Sequence, residues 1–400
     1  MLKIFSLKGQ VQNYAWGGTE FIPDLLEMKT NGTPVAEYWL GAHNKAPSTV
    51  AISNSHMDLI DFIDQNPRER LGAEIYQNFG RLPFLFKVLD VYDMLSIQVH
   101  PTKTEAEKGY KLENEKGIDL HATFRNYKDD NHKPEIMVAL GEFWLLHGFA
   151  PPQKLFQTLQ EREELSFLVD VFKKEGYKGM YSYVMNLSSE ENNQILKPLI
   201  DRIMPLYKEG KLNKKNPDFW AAKAVSVLGV SNGFDKGIYS IYFFNVLKLQ
   251  KGEGVFQDAG VPHAYLEGQN IELMANSDNV LRGGLTPKHI DIAELLKHVA
   301  FEETRPIILE GTLLQDGLER VYSSVAPDFQ LSEITLKTHE VYTHEAATIE
   351  IYLLIEGEAK VVQNNASLEL RKGEAFMVVA NGKIEISTNS QAVMYKATTP

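Results

Sequence analysis

The 400-residue chain contains no cysteine. Disulfides, thiolate metal sites and a cysteine nucleophile are therefore excluded, and any bound metal must be held through nitrogen and oxygen. Long hydrophobic runs are missing too: none reaches the roughly 20 apolar residues a membrane helix needs. The opening MLKIFSLKGQVQNYAW lacks the uninterrupted apolar stretch of a signal peptide, so a cytoplasmic protein is expected. There is no cationic excess, with 41 Lys+Arg against 53 Asp+Glu and a formal net charge of -12. That argues against a general nucleic-acid or anionic-membrane surface, but not against a locally basic pocket for a small anion. No low-complexity linker and no solenoid period is present.

What is present is enough apolar material for sizeable cores, at 44% hydrophobic residues. The length points to two or three domains. Residues 1–150 read as strands and turns, with short apolar runs punctuated by Pro, Gly and Asn. In LSIQVH, Leu95, Ile97 and Val99 alternate with Ser96, Gln98 and His100. A period of two puts the apolar set on a core and the polar set on the opposite face. From Pro151 the texture becomes helical: Leu155 and Leu159 share a face, Ser188 and Glu191 have capping-box spacing, and Asn216–Pro217 looks like an N-cap with Pro at the first helical position. Residues 151–235 are expected to be mostly helical, with strand character returning near Ile238. Residues 326–400 are strand-rich, broken at Gly357, Gly373 and Gly382. The order β, α, β predicts a helical insertion into a β structure, followed by a second β domain.

Imidazole nitrogen and carboxylate oxygen suit zinc and similar cations. Gln98 and His100, two apart on a strand, point the same way. Glu135 opens the next apolar run, EIMVAL, and His263 lies in DAGVPHAYLEG beside a turn set by Gly260 and Pro262. Strand-borne side chains of this kind converge in the mouth of a barrel. Spacing alone leaves the alternative open: a solvated carboxylate and histidines that bind nothing.

The strings around these residues are more specific. SIQVHP, NYKDDNHKPE, PHAYLEG and ANSDNVLRGGLTPK, supported by NYAWGG, AEYWLGAH and LPFLFKVL, closely resemble the signatures of the type I phosphomannose isomerases of the cupin superfamily. The likeness runs from about Val11 to His289. It implies a mainly β protein, a bicupin of two jelly-roll barrels with an α-helical insertion. The expected units are a metal-binding cupin at 1–150 and 236–325, a helical domain at 151–235 and a degenerate second cupin at 326–400. It implies one zinc ion held by Gln98, His100, Glu135 and His263, and reversible conversion of mannose 6-phosphate to fructose 6-phosphate through an enediol. The chain departs from the commoner family pattern at Asn44, where many relatives have Pro, and at Gly283, where AGL is usual after the arginine. His339 and His344 lie five apart on opposite sides of a continuous strand, so no second metal is expected.

Aldose–ketose isomerisation needs ring opening, a base for a carbon-bound proton and stabilisation of charge developing on oxygen. Lys133, two before Glu135, would face the same cavity if the segment is extended, and nearby cations suit it to proton transfer; the alternative is a lysine that pairs with phosphate or with Glu135. His132 would point away. The resemblance makes Arg282 an active-site residue, for phosphate or for an enediolate, against a structural ion pair with Asp278. Asp278 is the candidate for ring opening, against a role confined to its loop. Lys288 is a candidate phosphate contact, Glu272 and Tyr265 are expected to line the site, and Ser96 and Lys103 to reach the substrate. Trp39, in the same strand pattern as Glu37 and His43, is expected in the core. The expected partner is a sugar phosphate and the expected state a monomer. Two rival readings are another metal-dependent cupin enzyme, such as an iron dioxygenase, and a non-catalytic sugar-phosphate-binding cupin.

Overall fold

The computed structural model describes residues 2–52, 55–231 and 233–400. The protein is mostly sheet with several helices. A ten-stranded sheet carries Phe84–Val91, Ile97–Val99, Glu135–Ala139, Phe143–Phe149, His263–Ala275 and Leu281–Gly284 among its strands. A nine-stranded sheet is built mainly from residues after 311. It also takes in Ile4–Lys8, which pairs antiparallel with Ala375–Val378, and Thr49–Ile52 beyond it. A four-stranded sheet covers its far face.

Side-chain alternation explains the layering. Phe86 and Val88, Ile136 and Val138, and Ile271 and Leu273 face a core shared with Leu331, Ile351, Leu353 and Met377 of the nine-stranded sheet. The intervening Lys87, Glu135 and Glu272 must then face the other way. In Ile97–Val99, the apolar pair Ile97 and Val99 packs into the core of the helical region with Leu155, Leu159 and Trp220, which leaves Gln98 on the opposite face. The period of two read from LSIQVH holds over Ile97–Val99, where the core behind it belongs to the helices, but not at Leu95, which precedes the strand and packs with Leu89, Val91 and Tyr265 instead.

The helical block is present as Pro152–Gln160, Leu168–Asn186, Ser189–Lys208 and Pro217–Leu228. Ser188 and Glu191 form the reciprocal capping box, and Asn216 caps a helix that starts at Pro217. Two expectations need correction. Strand character does not return at Ile238: Gly237–Phe243 is a helix and the strand begins at Phe244. Every residue of that helix is buried, so it has no polar face to give it a helical period, and its Ile, Tyr and Phe content imitates a strand. Residues 1–150 are also not only strands and turns, since Leu59–Gln65, Pro67–Leu71, Ala73–Phe79 and Lys103–Glu115 are helices. The last of these buries only Ala106 and Glu113 and so has almost no apolar stripe to read. Among the described residues no helix is long and apolar enough to cross a membrane.

Candidate metal centre and sugar-phosphate site

Antiparallel pairing builds the site. His263 lies opposite His147 on one side and Gln98 on the other, and Gln98 lies opposite Arg282. Directly opposed residues point to one face, so His147, His263, Gln98 and Arg282 form a row across four strands. His100 follows Gln98 just past the strand end, and Glu135 opens a strand paired with the far half of His263–Ala275. That long strand bends: its register slips between Tyr265 and Glu267, and Gly268 has φ 127°. Tyr265 and Glu272, seven residues apart, would be separated by about 23 Å on a straight strand, yet the Tyr265 hydroxyl donates to Glu272 Oε1 at 2.8 Å. The bend brings Glu135 to the histidines.

His100 Nε2 lies 3.4 Å from Glu135 Oε1, and His263 Nε2 lies 3.3 Å from Glu135 Oε2. One ligand atom from each of the three residues falls within 4.8 Å of the others. Each ring is turned by a backbone carbonyl: His100 Nδ1 bonds Asn279 O at 2.8 Å, and His263 Nδ1 bonds Val261 O at 2.9 Å. A carbonyl only accepts, so Nδ1 carries a proton, and in the neutral ring this leaves the lone pair on Nε2. Both Nε2 atoms are buried without a hydrogen-bond partner. Burial pushes the His100 pKa down to about 4. The Glu135 carboxyl is lowered as well, but against burial: burial would raise it, while Lys133 and the two histidines hold it well below its usual range. Imidazoles whose Nε2 atoms face an ionised carboxylate, with the other ring nitrogens fixed from behind, are a donor set suited to a divalent N/O metal such as zinc. Gln98 lies opposite His263 in the same row.

Lys133 Nζ lies 3.1 Å from Glu135 Oε1, and both side chains are buried, so the two share a cavity. His132 turns away to Asp328 Oδ2 at 2.8 Å. Glu272 lies on the same face of the sheet, between the Tyr265 hydroxyl and Lys87 Nζ, the latter at 2.9 Å. Burial raises the Glu272 carboxyl against the pull of Lys87. Lys87 also lies 3.8 Å from Glu37 Oε2. Burial alone would discharge it, but Glu272 and Glu37 raise its pKa instead. Trp39 is buried beside Leu85 and Met274, with Lys87 Nζ 5.3 Å from its ring centroid. Sequence reasoning did not single out Lys87. The available signal was a lysine inside the otherwise apolar FLFKVL, whose strand is buried throughout.

Asp278 does not pair with Arg282. Its carboxylate meets Lys45 Nζ at 2.7 Å and His43 Nε2 at 3.5 Å; although burial raises its pKa, these partners hold it far below the usual range. Beside it opens a cleft of about 460 Å³ whose lining includes His43, Lys45, Lys128 and Asp278 but none of the three metal-ligand candidates. Burial lowers the Arg282 pKa, and among the described residues no carboxylate offsets it. Lys288 and Lys128 both feel its charge. These cations are an unneutralised group at one end of the site. Lys103 is occupied elsewhere, donating to Asp130 O and Asn131 Oδ1. Ser96 is half-buried. His344 pairs with Glu350 Oε1 at 2.9 Å, while His339 is exposed.

A family model described as the catalytic domain of phosphomannose isomerase type I matches residues 4–152. The mannose-6-phosphate isomerase of Salmonella typhimurium is 36% identical over 383 residues, 94% of each chain. The Escherichia coli enzyme of that name is 35% identical over the same length and shares, and the human one is 29% identical over 414 residues, 96% of this chain and 95% of its own. Among solved structures, the Salmonella typhimurium mannose 6-phosphate isomerase bound to substrate and zinc is similar with a TM-score of 0.88 at 32% identity, over 100% of both chains. A mannose 6-phosphate isomerase bound with zinc and yttrium gives a TM-score of 0.87 at 32% identity, again over 100% of both.

Proposed function

The chain belongs to the type I phosphomannose isomerase family, and from that premise we propose that it is a zinc-dependent aldose–ketose isomerase interconverting mannose 6-phosphate and fructose 6-phosphate. The observation that carries this reading is the pair of buried, unpartnered imidazole nitrogens facing Glu135. Gln98, His100, Glu135 and His263 are the residues that hold the ion. Bound there, zinc supplies a Lewis acid that orients sugar oxygens and offsets the negative charge developing on them.

The chain's own groups do the rest. Lys133, buried at the edge of the metal set, moves the proton between C1 and C2. Lys87, kept charged by Glu272 and Glu37, presents a fixed cation to the sugar oxygens, and Tyr265 steadies Glu272. Arg282, with no carboxylate to neutralise it, takes the phosphate together with Lys288, since a guanidinium fits a phosphate in bidentate fashion. Asp278, ionised beside Lys45 and His43, can accept a proton in ring opening but has none to donate. Ser96 lies one residue before the Gln98 strand and is read as a sugar contact.

The layered sheets support a bicupin with a catalytic unit from 1–150 and 236–325, a helical unit from 151–235 and a second cupin from 326–400, the N-terminal strand Ile4–Lys8 crossing into the last of these. We read the protein as a cytoplasmic monomer. The test is to purify the chain, measure its metal content and follow mannose 6-phosphate. One zinc per chain and reversible formation of fructose 6-phosphate, lost with a chelator and restored by zinc, are expected. Binding of mannose 6-phosphate without any fructose 6-phosphate would replace the enzyme by a sugar-phosphate-binding protein.

A further inference from the structure

Arg282 stands on an irregular stretch of backbone. Its strand, Leu281–Gly284, slips register against Ile97–Val99 between Arg282 and Gly284, so that Arg282 faces Gln98 while Gly284 faces Ile97. A bulge of this kind re-aims a side chain and weakens the ladder that would otherwise hold it. The next residue, Leu285, is buried with φ 55°, the left-handed region that non-glycine residues rarely adopt. Something outside the sheet has to hold this conformation.

That something is Asp235, which follows the helical block. Its Oδ1 accepts from Leu285 N at 2.7 Å and Gly237 N at 2.6 Å, and its Oδ2 accepts from Thr286 N at 3.1 Å. Gly237 and Gly284 touch backbone to backbone: a Cβ on Gly284 would lie 2.4 Å from Gly237 Cα, and a Cβ on Gly237 would lie 2.5 Å from Leu285 N. Gly283 is equally constrained, since a Cβ there would meet the Tyr181 hydroxyl at 2.7 Å and Ile97 Cγ2 at 2.9 Å. The segment carrying Asp235 is itself tied to the helices. Asn192 Nδ2 donates to Phe234 O at 2.6 Å, Phe234 N donates to Asn193 Oδ1 at 2.9 Å, and Lys236 Nζ donates to Met185 O at 2.7 Å.

We infer that Asp235 is a positioning residue for the isomerase reaction: it clamps the left-handed Leu285 turn and so fixes the bulge that aims Arg282, making the helical insertion part of the active site. The inference rests on the reading of Arg282 as a substrate-contacting residue. Asp235 touches no substrate. It acts through backbone N–H groups of the turn, so its removal should matter only as long as Arg282 has something to do.

A double-mutant cycle on the zinc-loaded enzyme tests this. Asp235→Ala should lower kcat/KM for mannose 6-phosphate about tenfold to a hundredfold, the range for loss of a group that orients a functional one, with one zinc per chain retained. Asp235→Asn, which keeps the Oδ1 acceptor, should recover most of the activity. In an Arg282→Ala background, Asp235→Ala should cause less than about a twofold further loss. Gly237→Ala, which pushes on the same turn from the helix side, should show the same dependence on Arg282 and serves if Asp235→Ala does not fold. Equal losses from Asp235→Ala with and without Arg282 overturn the clamp while leaving the reading of Arg282 intact. Full turnover by Arg282→Ala overturns that reading and the inference with it.

Discussion

The metal-bearing sheet and the C-terminal sheets both bury charged side chains, but they leave different amounts of bonding capacity unused. In the C-terminal part, Lys396 Nζ meets Glu319 Oε1 at 2.7 Å and the Tyr342 hydroxyl donates to Glu319 Oε2 at 2.6 Å. Glu350 is paired with His344 and with the Tyr352 hydroxyl. Both carboxylates have partners of their own, and among the described residues of that part only the Ser332 hydroxyl is left over. In the metal-bearing part, three imidazole nitrogens have none, two of them facing Glu135, and among the described residues no carboxylate offsets Arg282. A satisfied buried network holds a structure together or specifies it. A network with lone pairs and cations left over is built for something that comes from outside.

The comparison breaks most visibly at His263. His263→Ala should abolish stoichiometric zinc and lower turnover about a thousandfold or more, the scale of losing a principal charge-stabilising group. Full zinc content with normal turnover would remove this histidine from the metal set. Lys133→Ala should keep zinc and lose about 10²–10⁴-fold in kcat, the range of acid–base catalysis; a rise in KM with kcat unchanged would make the lysine a substrate ligand. Lys396→Met should do the converse. Leaving Glu319 buried and unpaired should cost about 3–5 kcal/mol of stability, read as a lower denaturation midpoint, while zinc content and turnover of the folded enzyme stay the same. A selective loss of turnover would show that the C-terminal network serves catalysis after all.

A smaller effect comes from pH. Burial lowers the pKa of both His100 and His147 to about 4, against about 6.5 for an unfolded histidine. Between those values the unfolded chain binds more protons than the folded one, so stability falls as pH drops through that window, by at most about 1.4 kcal/mol per pH unit and histidine. Glu319 is held below its usual pKa by Lys396 and Tyr342 despite burial, so its contribution is lost only at more acidic pH. Urea midpoints of metal-free protein should therefore decline already between pH 6.5 and 4, and zinc, by occupying His100 but not His147, should shift part of that decline to lower pH. A metal-free midpoint that stays flat over this range would show that the histidines are not buried neutral.

Much of the site could be read before any fold was known, because its parts are local. Gln98 with His100 and Lys133 with Glu135 are pairs two apart on extended chain, and a period of two places each pair on one face wherever the strand goes. The capping box at Ser188 and the Asn216–Pro217 helix start are equally local. Lys87 was hidden because the apolar residues around it dominate its pattern. The helix Gly237–Phe243 was misread because a helix buried on all sides has no periodicity. Asp235 gave no signal at all: a single carboxylate after a helical block says nothing about Leu285, about fifty residues on.

By itself the sequence determined the metal chemistry: without cysteine, and with histidine, carboxylate and amide at strand spacing, only an N/O site was possible, and the family strings named its type. What only the tertiary structure decided is which of those side chains remain unsatisfied. Hydrogen bonds to Asn279 O and Val261 O choose the tautomers of His100 and His263, the bend at Gly268 brings Glu135 to them, and Asp235 holds the turn behind Arg282. Most of these are contacts between distant segments, and such contacts leave no periodicity in a single chain to be read.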